Sequence, residues 1–293
     1  MDIRIEHAKD NIIEGCLCLE GGAYRGTYTS GVLDCLMDHD INLRTTIGVS
    51  AGGLNGFNYV SGDIGRSAIL SINFRHDKDY IGLKSLLRTG SIVNFDYMFE
   101  EIAKAIPYNE ERLFHSGREL IIIATNIETG KPEAFFNTDK ETLYKAIAAS
   151  ASMPLVSRPV QIGEGYYLDG GCSTKLPIRY AMEKGHEKII FVATRQKEYR
   201  RKPVPKEFEL EKIHYRNYPA FVQSLKMANV LYNNDCDLID QLVEMGEMYR
   251  IAPSEPVTIG RMEGDSEVLE GLYHLGYKDT EAQIEQIKEY LAI

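Results

Sequence analysis

Two short glycine-bearing turns, each set between an apolar strand and a helix, limit what this sequence can fold into more than any other feature. The first is Glu20-Gly21-Gly22-Ala23-Tyr24-Arg25-Gly26. It follows a buried strand read at Gly15 to Glu20 and precedes a helix from Gly26 to Met37 with Tyr28, Val32, Leu33 and Leu36 on one face. The second is Gly48-Val49-Ser50-Ala51-Gly52, between a strand at Arg44 to Val49 and a small glycine-dotted helix. Period-2 and period-3.6 hydrophobic patterns keep alternating along most of the chain, the signature of strands crossed by helices and hence of an α/β fold. Further helices are expected at Ile64 to Phe74, Phe95 to Ile106, Glu141 to Ser150 and Ile178 to Glu183. Strands are expected at Glu119 to Ile127, paired with Pro132 to Asn137 around the turn Glu128-Thr129-Gly130-Lys131, and at Tyr166 to Leu168 and Lys188 to Thr194. From Lys197 on the pattern is mostly helical, with Phe221, Leu225, Leu231, Leu238 and Leu272-Tyr273-His274-Leu275 read as faces packed on the core or covering a site.

Gly48 to Gly52 fits G-x-S-x-G, a sharp strand-to-helix turn that strains its middle residue and leaves no room for side chains on Gly48 or Gly52. Ser50 is thereby presented at a helix N-terminus, where the dipole favours the negative charge of an alkoxide or a tetrahedral intermediate. In the earlier turn, consecutive small residues let the backbone approach a ligand and aim its N–H groups at a phosphate or an oxyanion. The phosphate readings fail: Ala23 stands at the second glycine of the dinucleotide fingerprint, and no Gly-Lys-Ser/Thr closes a P-loop. An oxyanion hole fits better. A third element, Leu168-Asp169-Gly170-Gly171, ends an apolar run on a carboxylate able to take a serine proton if the two loops meet, although Asp-Gly by itself is a common turn.

With 43 acidic against 33 basic residues and a net charge of −10, the chain lacks the basic face that a nucleic-acid binder needs, while 44% hydrophobic residues supply a sizeable core. Met1 to Glu14 has no secretory pattern, and the longest strongly apolar run, Leu120 to Ala124, is far short of a bilayer span, so a cytoplasmic location is expected. Five cysteines with no C-x-x-C pair read as reduced thiols, Cys16 and Cys18 among them as small core residues. No metal is expected, since none of the seven histidines forms a short-spaced ligand set. Asn233, Asp235, Asp237 and Glu244 imitate part of an EF-hand loop, but Leu238 occupies the position of its glycine, and a solvated acidic helix face is the better reading. Arg195 to Lys206 holds six basic residues beside one acid, Glu198. That stretch reads as a solvated linker, with a patch for anionic lipid headgroups as the alternative.

Taken in this order, and with Ala148-Ala149-Ser150-Ala151-Ser152-Met153-Pro154 ahead of the Asp, these elements resemble the patatin-like phospholipase family from Cys16 to Arg195. The resemblance implies a three-layer α/β/α fold with a mainly parallel central sheet. It implies a catalytic domain over residues 15–195 and a mostly helical C-terminal extension over 196–293 packed on the core. The implied activity is that of a serine hydrolase cleaving carboxylic esters of lipids through an acyl-enzyme. Ser50 would be the nucleophile and Asp169 its base, with backbone amides of Gly21, Gly22 and Ala23 as oxyanion donors, Gly48 and Gly52 shaping the elbow, and no histidine, metal or cofactor. The implied partner is a lipid or other acyl ester, met at a membrane surface by peripheral contact; headgroup, chain length and oligomeric state stay open. Ala23 departs from the family's usual glycine, harmless unless the position requires positive φ; Glu20 stands where Asp is frequent, and Arg25 reads as structural. An ordinary Asp titrates near ~3.9 and is a weak base toward a hydroxyl, so desolvation and a preorganised oxyanion hole are expected to compensate.

Two rivals remain at this stage. One is an α/β-hydrolase-like esterase whose Ser–Asp–His triad is completed by His214 or His274. The other is a non-catalytic lipid-binding pseudoenzyme on the same fold.

Overall fold

A computed structural model describes residues 3–293; Met1 and Asp2, which open the segment read as lacking a secretory pattern, lie outside the described residues. A small antiparallel pair joins β1 (Glu6–His7) to β4 (Asp63–Ile64). The main sheet holds β2 (Ile13–Leu19), β3 (Leu43–Val49), β5 (Glu119–Asn126), β6 (Pro132–Phe136), β7 (Val160–Ile162), β8 (Gly165–Asp169), β9 (Ile189–Val192) and β10 (Met248–Ile251).

Side-chain alternation along its central strands dictates the layering. Leu17 and Leu19 of β2 face one way with Leu120 and Ile122 of β5, while Cys16 and Cys18 face the other with Ile121 and Ile123, and all are buried. Strands apolar on both faces need helices on both sides. One layer is supplied by α1 (Gly26–Asp38), α2 (Ala51–Ser61) and the helices Lys140–Ser150 and Ile284–Leu291, the other by Ile178–Glu183 and Pro219–Glu244. The three-layer α/β/α expectation holds.

The strand order is β10-β9-β2-β3-β5-β8-β7, with β6 also paired to β5. The first five of these are mutually parallel, and β6, β7 and β8 run antiparallel to their neighbours. One detail of register positions the site. Along β5, β3 ends with Val49 opposite Ile123, while β6 occupies the other edge from Ile121 to Thr125. β8, pairing with Ala124 to Asn126, therefore continues the edge that β3 leaves, with Asp169 opposite Ala124. The two strands run toward each other along one edge and stop head to head.

The helix expected at Ile64 to Phe74 is Arg66–Ile72 followed by a 3-10 turn, Asn73–His76, and the one at Phe95 to Ile106 contains a π turn at Met98–Ile102. Residues 196–293 are mostly helical, as read, but they also contribute the edge strand β10, parallel to β9. Phe221 and Leu225 are buried and Leu238 packs on the core, whereas Leu231 is exposed, contrary to its reading as a packing residue. The helix Ser266–Glu281 lies directly on α1. A side chain at Gly31 would sit 2.0 Å from the Tyr273 carbonyl oxygen, and one at Gly276 2.0 Å from that of Tyr28, so the glycines allow backbone-to-backbone contact. No helix among the described residues is long and apolar enough to cross a membrane.

At this junction Asp34 of α1 is buried and accepts hydrogen bonds from the Gly65 N–H (3.0 Å) and the Tyr273 hydroxyl (3.0 Å). Burial pushes its pKa up to about 7 from 3.8. The folded state thus holds a proton that the unfolded chain releases, so the stability from this group is fully present below the unfolded value and lost as pH rises to about 7. Across that window the wild type should lose ~2–4 kcal/mol, and Asp34→Asn, which can still accept both bonds, should flatten the slope. Urea unfolding at a series of pH values reads this directly.

Candidate active site

At the end of β3, Ser50 has φ 55° and ψ −124°, a conformation that L-residues avoid. Its neighbours explain how it is held there. A Cβ on Gly48 would lie 2.6 Å from the Gly52 carbonyl, and one on Gly52 would lie 2.5 Å from the Leu19 carbonyl oxygen. Neither position accepts a side chain. The Ser50 N–H donates to Ser150 Oγ at 2.8 Å, and the Ser150 hydroxyl donates in turn to the Ile123 carbonyl at 2.6 Å. Sequence reasoning noticed the small-residue stretch containing Ser150 but not this bracing of the elbow.

The Ser50 hydroxyl donates to Asp169 Oδ2 at 2.8 Å. The carboxylate is oriented by its own turn, since the Gly171 N–H donates to Oδ1 at 2.7 Å, and the Thr125 hydroxyl donates to the Asp169 carbonyl at 2.9 Å. Asp169 is buried, and that burial raises its pKa; the Ser50 and Gly171 hydrogen bonds, followed by the charges of Lys175 and Arg261, act the other way. A carboxylate so placed is a stronger proton acceptor than an ordinary Asp.

The glycine-bearing turn after β2 lies against the elbow because β2 and β3 are adjacent and parallel, with Leu19 opposite Gly48. A Cβ on Gly21 would come 3.1 Å from Ser50 Cβ, and one on Gly22 would meet Thr194 at 2.8 Å. The N–H groups of Gly21, Gly22 and Ala23 meet no acceptor among the described residues. Three unclaimed amides beside a serine hydroxyl can receive an oxyanion. Ala23 sits at φ 49°, so its departure from glycine is not free of strain. A non-glycine residue there costs about 1–2 kcal/mol, partly offset by the smaller entropy of the unfolded alanine chain. Ala23→Gly should therefore raise stability by roughly 0.5–1 kcal/mol, visible as a higher urea midpoint, with the N–H retained.

Beyond Ser50 a narrow cavity runs between Leu54, Leu70, Phe95, Met98, Met153 and Met262, an apolar lining suited to an acyl chain. Neither histidine of the triad alternative hydrogen-bonds to Ser50 or Asp169 among the described residues. His214 ends the helix Phe208–His214 with its ring against Tyr215, and His274 is exposed beside Glu270.

Two other readings change. The acidic positions of the long helix are not a solvated face throughout: Asp235 is buried and accepts from Arg179 at 2.6 Å, and Asp237 accepts from Arg200 at 2.8 Å. Likewise the basic stretch is not a free linker. Arg200 is tied to Asp237 and Asp240, Arg201 turns inward toward Glu20, and only Lys197, Lys202 and Lys206 of its six basic residues are exposed. Cys35, His39 and Glu281 come within 4.8 Å of one another, a grouping hidden in sequence because Glu281 lies on a distant helix; these side chains already satisfy each other, His39 meeting Glu281 at 2.6 Å and the Cys35 thiol donating to it at 3.4 Å.

The model of the patatin-like phospholipase family matches residues 17–182, and a domain of unknown function (DUF6363) matches residues 218–292. Among similar curated proteins are the uncharacterized protein YjjU of Escherichia coli and the probable lipid hydrolase 463L of Invertebrate iridescent virus 6. The first is 28% identical over 183 residues, 61% of this chain and 51% of that protein. The second is 28% identical over 192 residues, 59% of this chain and 64% of that protein. The matched region thus spans between half and two thirds of these relatives. The crystal structure of VipD from Legionella pneumophila superposes with a TM-score of 0.47 at 12% identity, covering 97% of this chain and 70% of that one.

Proposed function

Since the chain belongs to the patatin-like phospholipase family, we propose that it hydrolyses carboxylic esters of lipids through an acyl-enzyme on Ser50. The observation that carries this reading is the 2.8 Å hydrogen bond from the Ser50 hydroxyl to Asp169, beside three amides that meet no acceptor among the described residues. As Ser50 Oγ attacks the ester carbonyl carbon, Asp169 takes its proton, and the carbonyl oxygen gathers negative charge against the Gly21, Gly22 and Ala23 amides. Each such donor is worth about 2.7–4 kcal/mol in the transition state. The proton passes from Asp169 to the departing alkoxide as the C–O bond breaks, leaving the acyl group on Ser50. Water, deprotonated by the same carboxylate, then releases the fatty acid and restores the serine.

In this reading residues 15–195 form the catalytic unit and the extension completes it, because Met262 supplies part of the acyl cavity wall. Substrate is met in a lipid surface by peripheral contact, and the probable lipid hydrolase among the relatives agrees with the activity. Fatty-acid release from lipid micelles, together with fluorophosphonate labelling that maps to Ser50, is the expected result. An unlabelled serine under conditions that label a control hydrolase would leave the pseudoenzyme reading in its place.

A further inference from the structure

One group beside the site has no use in the reaction just described. Arg25, two residues past the oxyanion turn, is 4% exposed, yet its side chain makes no hydrogen bond among the described residues, and its Nε is buried without an acceptor. Buried Nε atoms of Arg195 and Arg201 are also without partners. These guanidinium groups share one place. Arg201 lies 3.8 Å from Glu20, which stands immediately before the glycine turn, and Arg195 follows β9 next to it. Arg261 is near as well: its carbonyl accepts from the Tyr24 N–H, and its charge acts on both Arg25 and Asp169. Lys175 completes the set by donating to the Gly171 carbonyl.

Among the described residues the carboxylate whose charge acts on Arg25 is Glu20, one oxygen of which is held by the Thr194 N–H at 2.6 Å, while the charges of Lys175 and Arg261 act on Glu211. A buried guanidinium group with so little compensation is costly, and more so with further cations beside it. Burial, then Arg195, pushes Arg25 down to about 10; burial, then Arg201, pushes Lys175 down to about 8. On a chain of net charge −10 this concentration of positive charge calls for an anion. Ala23, Tyr24 and Gly26 line the acyl cavity, and Arg25 is not among the residues that line it. Met262 lines that cavity as well, while the charge of its neighbour Arg261 acts on Asp169. Tyr199 and Tyr232 are not free to cage a quaternary ammonium, because Arg195 covers the first at 4.8 Å and Arg201 the second at 4.3 Å.

We infer that Arg25, Arg195, Arg201 and Arg261 form a phosphate subsite, and that the lipid esters cleaved at Ser50 carry a phosphate monoester and no ammonium group. The inference rests on the reading of Ser50 as an ester-cleaving nucleophile. Arg195, Arg201 and Arg261 lie outside the residues that match the family.

Two measurements test it. Calorimetric titration of Ser50→Ala with glycerol 3-phosphate at low ionic strength should show binding that Arg25→Met abolishes. In mixed micelles of matched acyl chains, kcat/KM for phosphatidate should exceed that for phosphatidylcholine and for diacylglycerol. Either Arg25→Met or the half-buried Arg201→Gln should lower the phosphatidate-to-diacylglycerol ratio by roughly 30-fold, the loss expected for a charge-assisted hydrogen bond. Equal losses on both lipids, leaving the ratio unchanged, would overturn the subsite, as would a failure of Ser50→Ala to bind glycerol 3-phosphate. Binding of inorganic phosphate alone, with no preference among lipids, would assign the cluster to a free anion and overturn the headgroup. Glycerol 3-phosphate binding with no ester cleaved by the wild type would sink the hydrolase reading and leave the subsite standing.

Discussion

Ser50→Ala should lower fatty-acid release by about 10⁴-fold or more, the scale on which nucleophile knockouts act when the rest of a site survives. The fold should survive, because the elbow is held by Gly48, Gly52 and the bond from the Ser50 N–H to Ser150, none of which involves the hydroxyl. Ser50→Gly separates strain from chemistry. At φ 55° and ψ −124° serine occupies a region open to glycine, so the glycine variant should be as inactive as Ser50→Ala but more stable than wild type, by about 1–2 kcal/mol. Urea midpoints of the three proteins, measured beside their turnover, give the comparison. An active Ser50→Ala would remove the proposed nucleophile.

Asp169→Asn should cost about 10³–10⁴-fold in kcat. The amide has the carboxylate's shape, and its oxygen can still accept from the Gly171 N–H, but the group facing Ser50 Oγ becomes a donor that takes no proton. The pH profile adds a second readout. Burial raises the Asp169 pKa, so the wild-type acid limb should lie above the range of an ordinary Asp, with activity rising as the carboxylate ionises. That limb should disappear from the residual activity of Asp169→Asn. A variant that kept both the rate and the limb would transfer the base to another group.

The elbow could be read from sequence because its constraint is steric: the glycines at 48 and 52 face backbone at 2.5–2.6 Å, and only one residue type fits. Asp169 was harder, since Asp-Gly-Gly is also an ordinary turn. What makes it more is the head-to-head register of β3 and β8 on one edge of β5, which no local pattern carries. Ser150 looked like any small helical residue because its partner, the Ser50 N–H, is 100 positions earlier. The basic stretch misled for the same reason, as Asp237 and Asp240 hold Arg200 from 37 and 40 residues away. Strand β10 is only Met-Tyr-Arg-Ile, too short and too mixed to show alternation before β9 is there to pair with it.

That late strand has a consequence for biosynthesis. Until Met248 to Ile251 leave the ribosome, β9 has one edge of unclaimed amides and carbonyls, a template for pairing with other nascent chains. The groove on α1 around Gly31 also stays open until the helix Ser266–Glu281 arrives. A polypeptide interrupted between residues 195 and 248 would thus carry Ser50 and Asp169 on a sheet with an open flank, a product for chaperones or proteases instead of a smaller working protein.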